Sequence, residues 1–590
     1  MAALPQSSRK ALTWLLVSLA LVQAPFILLM PFHIDDGVFL HIAGNIGRQP
    51  LMPLWQPIIW EGRVWADMMS HSHPPLACYL MYAGLQLGGP HPEVPVHLLM
   101  LPFFLLLGWA LFEFFRFFRL SPVLGTLLAV FSPVVFVSSH TLMMDVPTLS
   151  LGLAGVALAF RGIRDDRAGP ILAGGAFTAL ALLTAYSAIF YVLPPLFYAL
   201  ARRRWKLLPW IILVPAAALA GWFLMVYAVT GRFVPADVLR LLAQFRLRPR
   251  ADWAGRIVYN LSMTGGTILF PAVLLVWRWR CLRGKLYFLG VFAAGLAVAL
   301  LRPGEGFWHQ AAIAGLVIAG VILLGEAITA ATRRAREPED PLRAAWWAVA
   351  GWIAAFAFIT VLAYPHGAAR YLIWLVPPLT GAFLGTWGRQ FSAGSREERF
   401  LGQFPLFLRR RFLAALVVGQ VILASACALA DLEMARAYRG AVSAVLRQYP
   451  ASGRILWVAA DWEVRHYAVA GGGRTILRYD RRPRPGDLLL KPARTCPTWE
   501  TRYERPEFGQ RIGVVEARTR FPLRILDPVA RAGFYSDYWG FVPVWWSSPS
   551  APVDVLEIYR ITKTLPPDPA LEASENAGMF RLDPSVPLPR

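Results

Sequence analysis

The chain is 590 residues long, 56% of them hydrophobic and 16% charged, with a mean hydropathy of +0.48. Soluble globular proteins run at roughly 45–50% apolar and roughly 25% charged, so a water-soluble enzyme, a disordered chain and a secreted disulfide scaffold are all poor descriptions of it. The net charge of +22 would suggest nucleic acid in a soluble protein, but in a membrane protein the basic residues must first be sorted by side of the bilayer.

Residues 11–31 form one apolar span behind Arg9 and Lys10, long enough to cross a hydrocarbon core of about 30 Å. No small-residue cleavage site follows, which predicts an uncleaved signal anchor with a cytoplasmic N-terminus. Further spans are expected near 95–115, 120–140, 146–161, 169–185, 187–201, 207–229, 257–277, 286–302, 307–330, 344–364, 370–388 and 412–430, about 13 in all. The apolar segment 74–89 is short for a span and reads as an interfacial helix. With it left outside, 25 of the 35 basic residues before position 431 face the cytoplasm, as the positive-inside rule requires. Counting it as a span would invert the later loops and remove most of that bias.

The fold class expected is therefore an α-helical polytopic membrane protein, residues 1–430, with a long outer loop at 32–94 and a small outer-face α/β domain at 431–590. The tail opens on a helical pattern, DLEMARAYRGAVSAVLRQY. The β-type runs RILWVAA, DLLLKPA, RIGVVEA and VLEIYRI follow, separated by Gly/Pro turns. Of the net charge, +5 belongs to the tail and +17 to the membrane half. Four cysteines (Cys78, Cys281, Cys427, Cys496) are too scattered for a disulfide framework and show no metal spacing.

On this topology all ten histidines lie outside or at outer span ends, so the polar chemistry faces outward. Asp35 and Asp36 follow the first span directly, at the mouth of a low-dielectric region where an ionised carboxylate is costly without a partner. One of them could be a helix cap, but a cap needs only one carboxylate. Beyond Trp55, Trp60 and Trp65, the same loop carries His71 and His73 before Pro74-Pro75, a spacing open to metal ligation or to an ordinary interfacial role. The short second outer loop adds Asp145 before Pro147, either a helix-start residue or a third site carboxylate. Three carboxylates at one face suit general-base work, and Asp36 with Asp145 leaves room for a divalent metal of unknown identity.

The loop at 230–256 carries Arg232, Arg240, Arg246, Arg248, Arg250 and Arg256 on the side where basic residues are least expected. They read either as lipid-headgroup contacts or as a phosphate-binding flap, with Arg246 and Arg248 as the candidates for substrate. Arg370-Tyr371 opens a late span, where the guanidinium either snorkels or grips a phosphate.

In this order these residues resemble the GT-C glycosyltransferase superfamily, in the branch with bacterial aminoarabinose transferase of lipid A and the protein O-mannosyltransferases. The motifs are His33-Ile34-Asp35-Asp36-Gly37, His73-Pro74-Pro75-Leu76, Asp145-Val146-Pro147 and Arg370-Tyr371-Leu372 with Pro377-Pro378. The resemblance covers most of residues 1–430. Many relatives carry Leu-Thr-Lys where this chain has Leu183-Thr184-Ala185, so arginines would have to replace that lysine at a donor phosphate. The tail segments at 460–467, 484–490 and 533–540 look like the outer domains of bacterial members.

The resemblance implies transfer of a sugar, with inversion, from a polyprenyl-phosphate donor to an envelope lipid, polymer or protein acceptor outside the cytoplasmic membrane. Asp35 is the expected base, with Asp36 and Asp145 positioning the acceptor or a metal. His73, Arg246, Arg248, Arg370 and Tyr371 are the expected substrate-binding residues. Membrane lipids are the other expected partner, and nucleic acid is not one. A lipid or polysaccharide-precursor transporter is the alternative; transporters place their sites near the bilayer midplane, often with paired repeats, and no repeat is visible here.

Overall fold

The computed structural model describes residues 6–60, 63–65, 67–69, 73–89, 91–239, 253–269, 306–362, 367–390, 406–450, 453–477, 480–494 and 502–566. Its membrane half is a helical bundle. Helix α1 (Gln6–Leu29) is the first apolar run, and six residues separate it from α2 (Asp36–Ile46). Then come α3 (Leu76–Gly88), α4 (Glu93–Phe117), α5 (Pro122–Val130), α6 (Pro133–Ser138), α7 (Asp145–Asp165), α8 (Ala168–Leu182), α9 (Leu193–Ala201) and α10 (Leu208–Thr230). The bundle is completed by α11 (Trp253–Thr267), α12 (Phe307–Arg336), α13 (Arg343–Leu362), α14 (Val376–Gln390) and α15 (Leu406–Gln448).

Among the described residues seven helices are long and apolar enough to cross a membrane, and three more apolar helices or helix pairs are shorter. The chain is an integral membrane protein. The expected span at 286–302 lies outside the described residues. The span expected at 120–140 is broken: Ser132 sits in the extended region with ψ of 133°, and Pro133 starts a new short helix. Proline lacks the N–H needed to continue a helix and drives the preceding residue out of the α region. Segment 74–89 forms the 13-residue helix α3, about 20 Å long and short of a span.

Helix pairs close up where side chains vanish. A Cβ on Gly174 of α8 would lie 2.6 Å from the Gly155 carbonyl of α7, and one on Gly155 would lie 2.8 Å from the Gly174 carbonyl. These glycines let two backbones touch where lipid-facing helices have little hydrophobic drive to associate.

The tail holds one mixed five-stranded sheet. Its strands are β1 (Leu456–Val458), β2 (Arg474–Thr475), β3 (Leu488–Pro492), β4 (Gly509–Ala517) and β5 (Asp554–Ile561), in the order β2-β1-β3-β5-β4. β1 runs parallel to β2 and β3, while β5 pairs antiparallel with β3 and β4. All five residues of the central β3 are buried. A helix α16 (Trp462–Ala470) crosses between β1 and β2. The proposed boundary at 430/431 falls inside α15. This Ala- and Leu-rich helix has no internal proline, runs 43 residues from the bundle into the tail, and ends ahead of Pro450.

Candidate active site

Where α1 ends, the chain turns sharply. Ile34 has φ of +49°, a conformation that costs an L residue roughly 1–2 kcal/mol and is rarer still for a β-branched one. Asp35 follows at the N-cap position of α2, yet its side chain makes no cap hydrogen bond. It receives Nη1 of Arg370 at 3.0 Å instead, with the two side chains 22% and 17% exposed. The helix therefore gives up a favourable cap in favour of an ion pair across the site.

Arg370 lies in a 3-10 turn, Ala369–Leu375, that leads into α14. Its guanidinium lies 5.5 Å over the ring of Tyr371, and its buried Nε has no hydrogen-bond partner among the described residues. Asp145 is the first residue of α7, where a carboxylate complements the helix dipole, and it stands within electrostatic reach of both Arg370 and Asp35. Asp35, Asp145, Arg370 and Tyr371 thus converge at one end of the bundle. Two carboxylates face one guanidinium there.

Asp36 has a different place. It is fully buried, Oδ2 accepts the His33 N–H at 3.0 Å, and Oδ1 accepts the Leu142 N–H at 2.8 Å. It ties the loop after α1 to the loop before α7, each carboxylate oxygen accepting a backbone N–H. Among the described residues no three histidine, cysteine or carboxylate side chains converge to hold a metal ion.

His73 packs edge-on against Phe39 of α2 at 5.5 Å. Just after it, the Leu76 N–H donates to the Leu183 carbonyl at 3.1 Å. That bond docks the His73-Pro74-Pro75 segment on the turn at Leu183-Thr184-Ala185. Arg240, Arg246, Arg248 and Arg250 lie outside the described residues, as does His71. Arg232 is tied down: its Nε and Nη2 donate to Oδ2 of Asp237 at 3.0 and 2.7 Å, and its Nη1 pairs with Asp67 of the first loop. Burial pushes the Asp67 carboxyl up from its ordinary value, and the Arg232 charge only partly offsets this.

Beneath Asp35 lies a polar cluster that the sequence reading did not assign. His33, fully buried, donates from Nε2 to Oδ2 of Asp431 on α15 at 3.0 Å, and Tyr535 donates to the same oxygen at 2.9 Å. Burial alone would push His33 down; the carboxylates of Asp431 and Asp36 outweigh it and hold the imidazole well above its ordinary 6.5. Glu463 of α16 accepts the Ile34 N–H at 2.9 Å, and its burial pushes its pKa up to about 7. The only advance signal was that Glu463 and Tyr535 fall in two of the three family-like tail segments.

Residues 72–227 match the family of dolichyl-phosphate-mannose-protein mannosyltransferases. The match opens at the His73-Pro74-Pro75 segment and includes Asp145. No curated protein matches the chain in sequence. Among solved structures, ArnT from Cupriavidus metallidurans in the apo state is 16% identical over 81% of this chain and 92% of its own, with a TM-score of 0.38. The Archaeoglobus fulgidus oligosaccharyltransferase in its apo form is 12% identical over 79% of this chain and 64% of its own, with a TM-score of 0.47. The arabinosyltransferase EmbB from Mycobacterium smegmatis is 14% identical over 76% and 42%, with a TM-score of 0.31. These structural likenesses are too distant to assign a role to any residue. The family match spans two of the four motifs, His73-Pro74-Pro75 and Asp145-Val146-Pro147, and the chain resembles the GT-C membrane glycosyltransferases.

Proposed function

We propose that the protein transfers a sugar from a polyprenyl-phosphate donor to a hydroxyl acceptor at the extracytoplasmic face of the cytoplasmic membrane. The observation that carries this reading is the Asp35–Arg370 pair, a carboxylate and a guanidinium at the mouth of an apolar bundle, with the helix cap left unmade. A lipid-linked donor lies with its phosphate at the interface, where a cation is needed for the departing group and a base for the acceptor.

In the proposed step Asp35 takes the acceptor proton as the acceptor oxygen bonds to the anomeric carbon. The carbon–oxygen bond to phosphate breaks on the opposite face, inverting the centre, and its electron pair leaves on the phosphate oxygen. Arg370, with Nε unpartnered, neutralises that developing charge, and Asp145 orients the guanidinium. The Asp35–Arg370 pair is the resting arrangement; a phosphate drawing Arg370 away frees Asp35 to act as base.

The test is to deplete the protein and profile lipid extracts. A single polyprenyl-linked sugar should accumulate and be consumed when the wild-type chain is restored. An unchanged lipid profile would refute the transferase reading.

A further inference from the structure

Three consecutive residues ahead of Asp35 are each held by a group from α15 or the tail. The Phe32 N–H donates to the Tyr467 hydroxyl at 2.9 Å, His33 donates to Asp431 at 3.0 Å, and the Ile34 N–H donates to Glu463 at 2.9 Å. The last of these fixes the residue with the left-handed backbone. Without a fixed partner, a β-branched residue there would relax toward negative φ and carry the Asp35 side chain with it.

The other half of the pair is held from the same domain. The Ala369 N–H donates to the Phe534 carbonyl at 2.8 Å, and the Asp537 N–H donates to the Gly367 carbonyl at 3.0 Å. Gly367 lies so close under the ring of Tyr259 that a Cβ would clash with it, and the Tyr259 hydroxyl donates to the Gly533 carbonyl at 2.6 Å. The segment leading into Arg370 is thus clamped between α11 and the tail.

From this we infer that the C-terminal domain is part of the catalytic apparatus: Glu463 and Tyr467 are positioning residues that hold Asp35, while residues 533–537 hold Arg370, so one rigid body sets the spacing of base and phosphate clamp. The inference rests on the roles given to Asp35 and Arg370 above. Neither Glu463 nor Tyr467 needs to touch substrate. Geometry matters at this scale, because a displacement of about 1 Å at a reacting group can cost roughly 100-fold in rate.

The test uses the full-length protein purified in detergent, with amide hydrogen exchange as one readout. Turnover of the polyprenyl-linked sugar extract from depleted cells is the other. Glu463→Ala should speed exchange of the amides at 32–36 at least about tenfold, and lower kcat roughly 10- to 100-fold while KM stays within about twofold. Glu463→Gln keeps an acceptor carbonyl for Ile34 and should stay within about threefold of wild type. If Glu463→Ala fails to fold, Tyr467→Phe, which removes only the hydroxyl, should show the same loosening and a kcat loss of about threefold or more.

Arg511→Ala on the exposed edge of β4 should change neither readout. Unchanged exchange at 32–36 in both Glu463→Ala and Tyr467→Phe would overturn the clamp, as would loosened exchange with normal kcat, or a Gln variant no better than Ala. If no lipid-linked sugar accumulates, the transferase reading fails by itself, and exchange still decides the clamp.

Discussion

Arg232 and Arg370 each face two carboxylates near the same end of the bundle. Around Arg232 the geometry is closed: three of its nitrogens meet Asp67 and Asp237, whose side chains are mostly buried. Around Arg370 the carboxylate pairing is sparser: Nη1 meets Asp35 and the Met143 sulfur, Nε meets nothing described, and Asp35 is more exposed than Asp67 or Asp237, although Arg370 itself is less exposed than Arg232. Equal charge counts therefore do two jobs. A saturated guanidinium pins the first loop to the end of α10, whereas an unsaturated one retains donors for a phosphate.

The largest expected effect comes from removing the base of the sparser cluster. Asp35→Asn nearly preserves shape and keeps an acceptor for Arg370, so transfer should fall roughly 10²–10⁴-fold with normal folding. Near-normal turnover would dissolve the functional side of the contrast and return Asp35 to a structural role. Next comes Arg370→Lys, which keeps the charge and loses the planar fork. It should cost about 1.5–3 kcal/mol of transition-state stabilisation, a loss of roughly 10- to 150-fold in kcat. Wild-type kinetics in this variant would mean that any cation suffices.

The closed cluster should answer in stability. Arg232→Ala leaves Asp67 and Asp237 without their cation. We expect a loss of about 1–3 kcal/mol, discounted for the partial exposure of the arginine, with kcat of the surviving folded fraction little changed. Equal unfolding midpoints for variant and wild type in a thermal melt would contradict the anchoring role.

The smallest effect concerns Glu463. Its folded pKa of about 7 lies above the ordinary 4.5, so the protonated form is favoured in the native state. Its stabilising contribution is complete below about pH 4.5 and is lost as pH rises through about 7. His33, also raised, loses its contribution in the same direction, above 6.5. Between about pH 5 and pH 8 the melting curve should record a decline of which roughly 1–2 kcal/mol belongs to Glu463, and Glu463→Gln should flatten it by that amount. A decline of identical slope in the variant would remove Glu463 from the account.

Hydropathy made the helical membrane half legible, and each of the four β-type runs in the tail overlaps a strand of its five-stranded sheet. Asp35, Asp145 and Arg370 stand out in the sequence because each sits at the start of an element beside an apolar run, and the fold brings the three together. Asp35 and Asp36 part ways for a local reason. Adjacent residues at a helix start point about 100° apart, and the pattern Asp-Asp does not say which carboxylate turns toward the groove. The buried cluster was illegible because its partners are remote in sequence: His33 and Asp431 are 398 positions apart, and Ile34 and Glu463 are 429 apart. The break at Ser132-Pro133 was readable from proline, but the apolar run around it concealed the interruption.

The continuous helix α15 fixes more than a connection. At about 1.5 Å per residue its 43 residues make a rod of about 65 Å, and each residue added to such a rod rotates everything beyond it by about 100°. One residue inserted after Asp431 would swing the sheet and its loops away from the two segments they grip. Seven would nearly restore the angular phase yet lift the tail by about 10 Å. A functional chimera would therefore have to keep the length of α15 between its membrane end and Gln448, however freely the sequences on either side were exchanged.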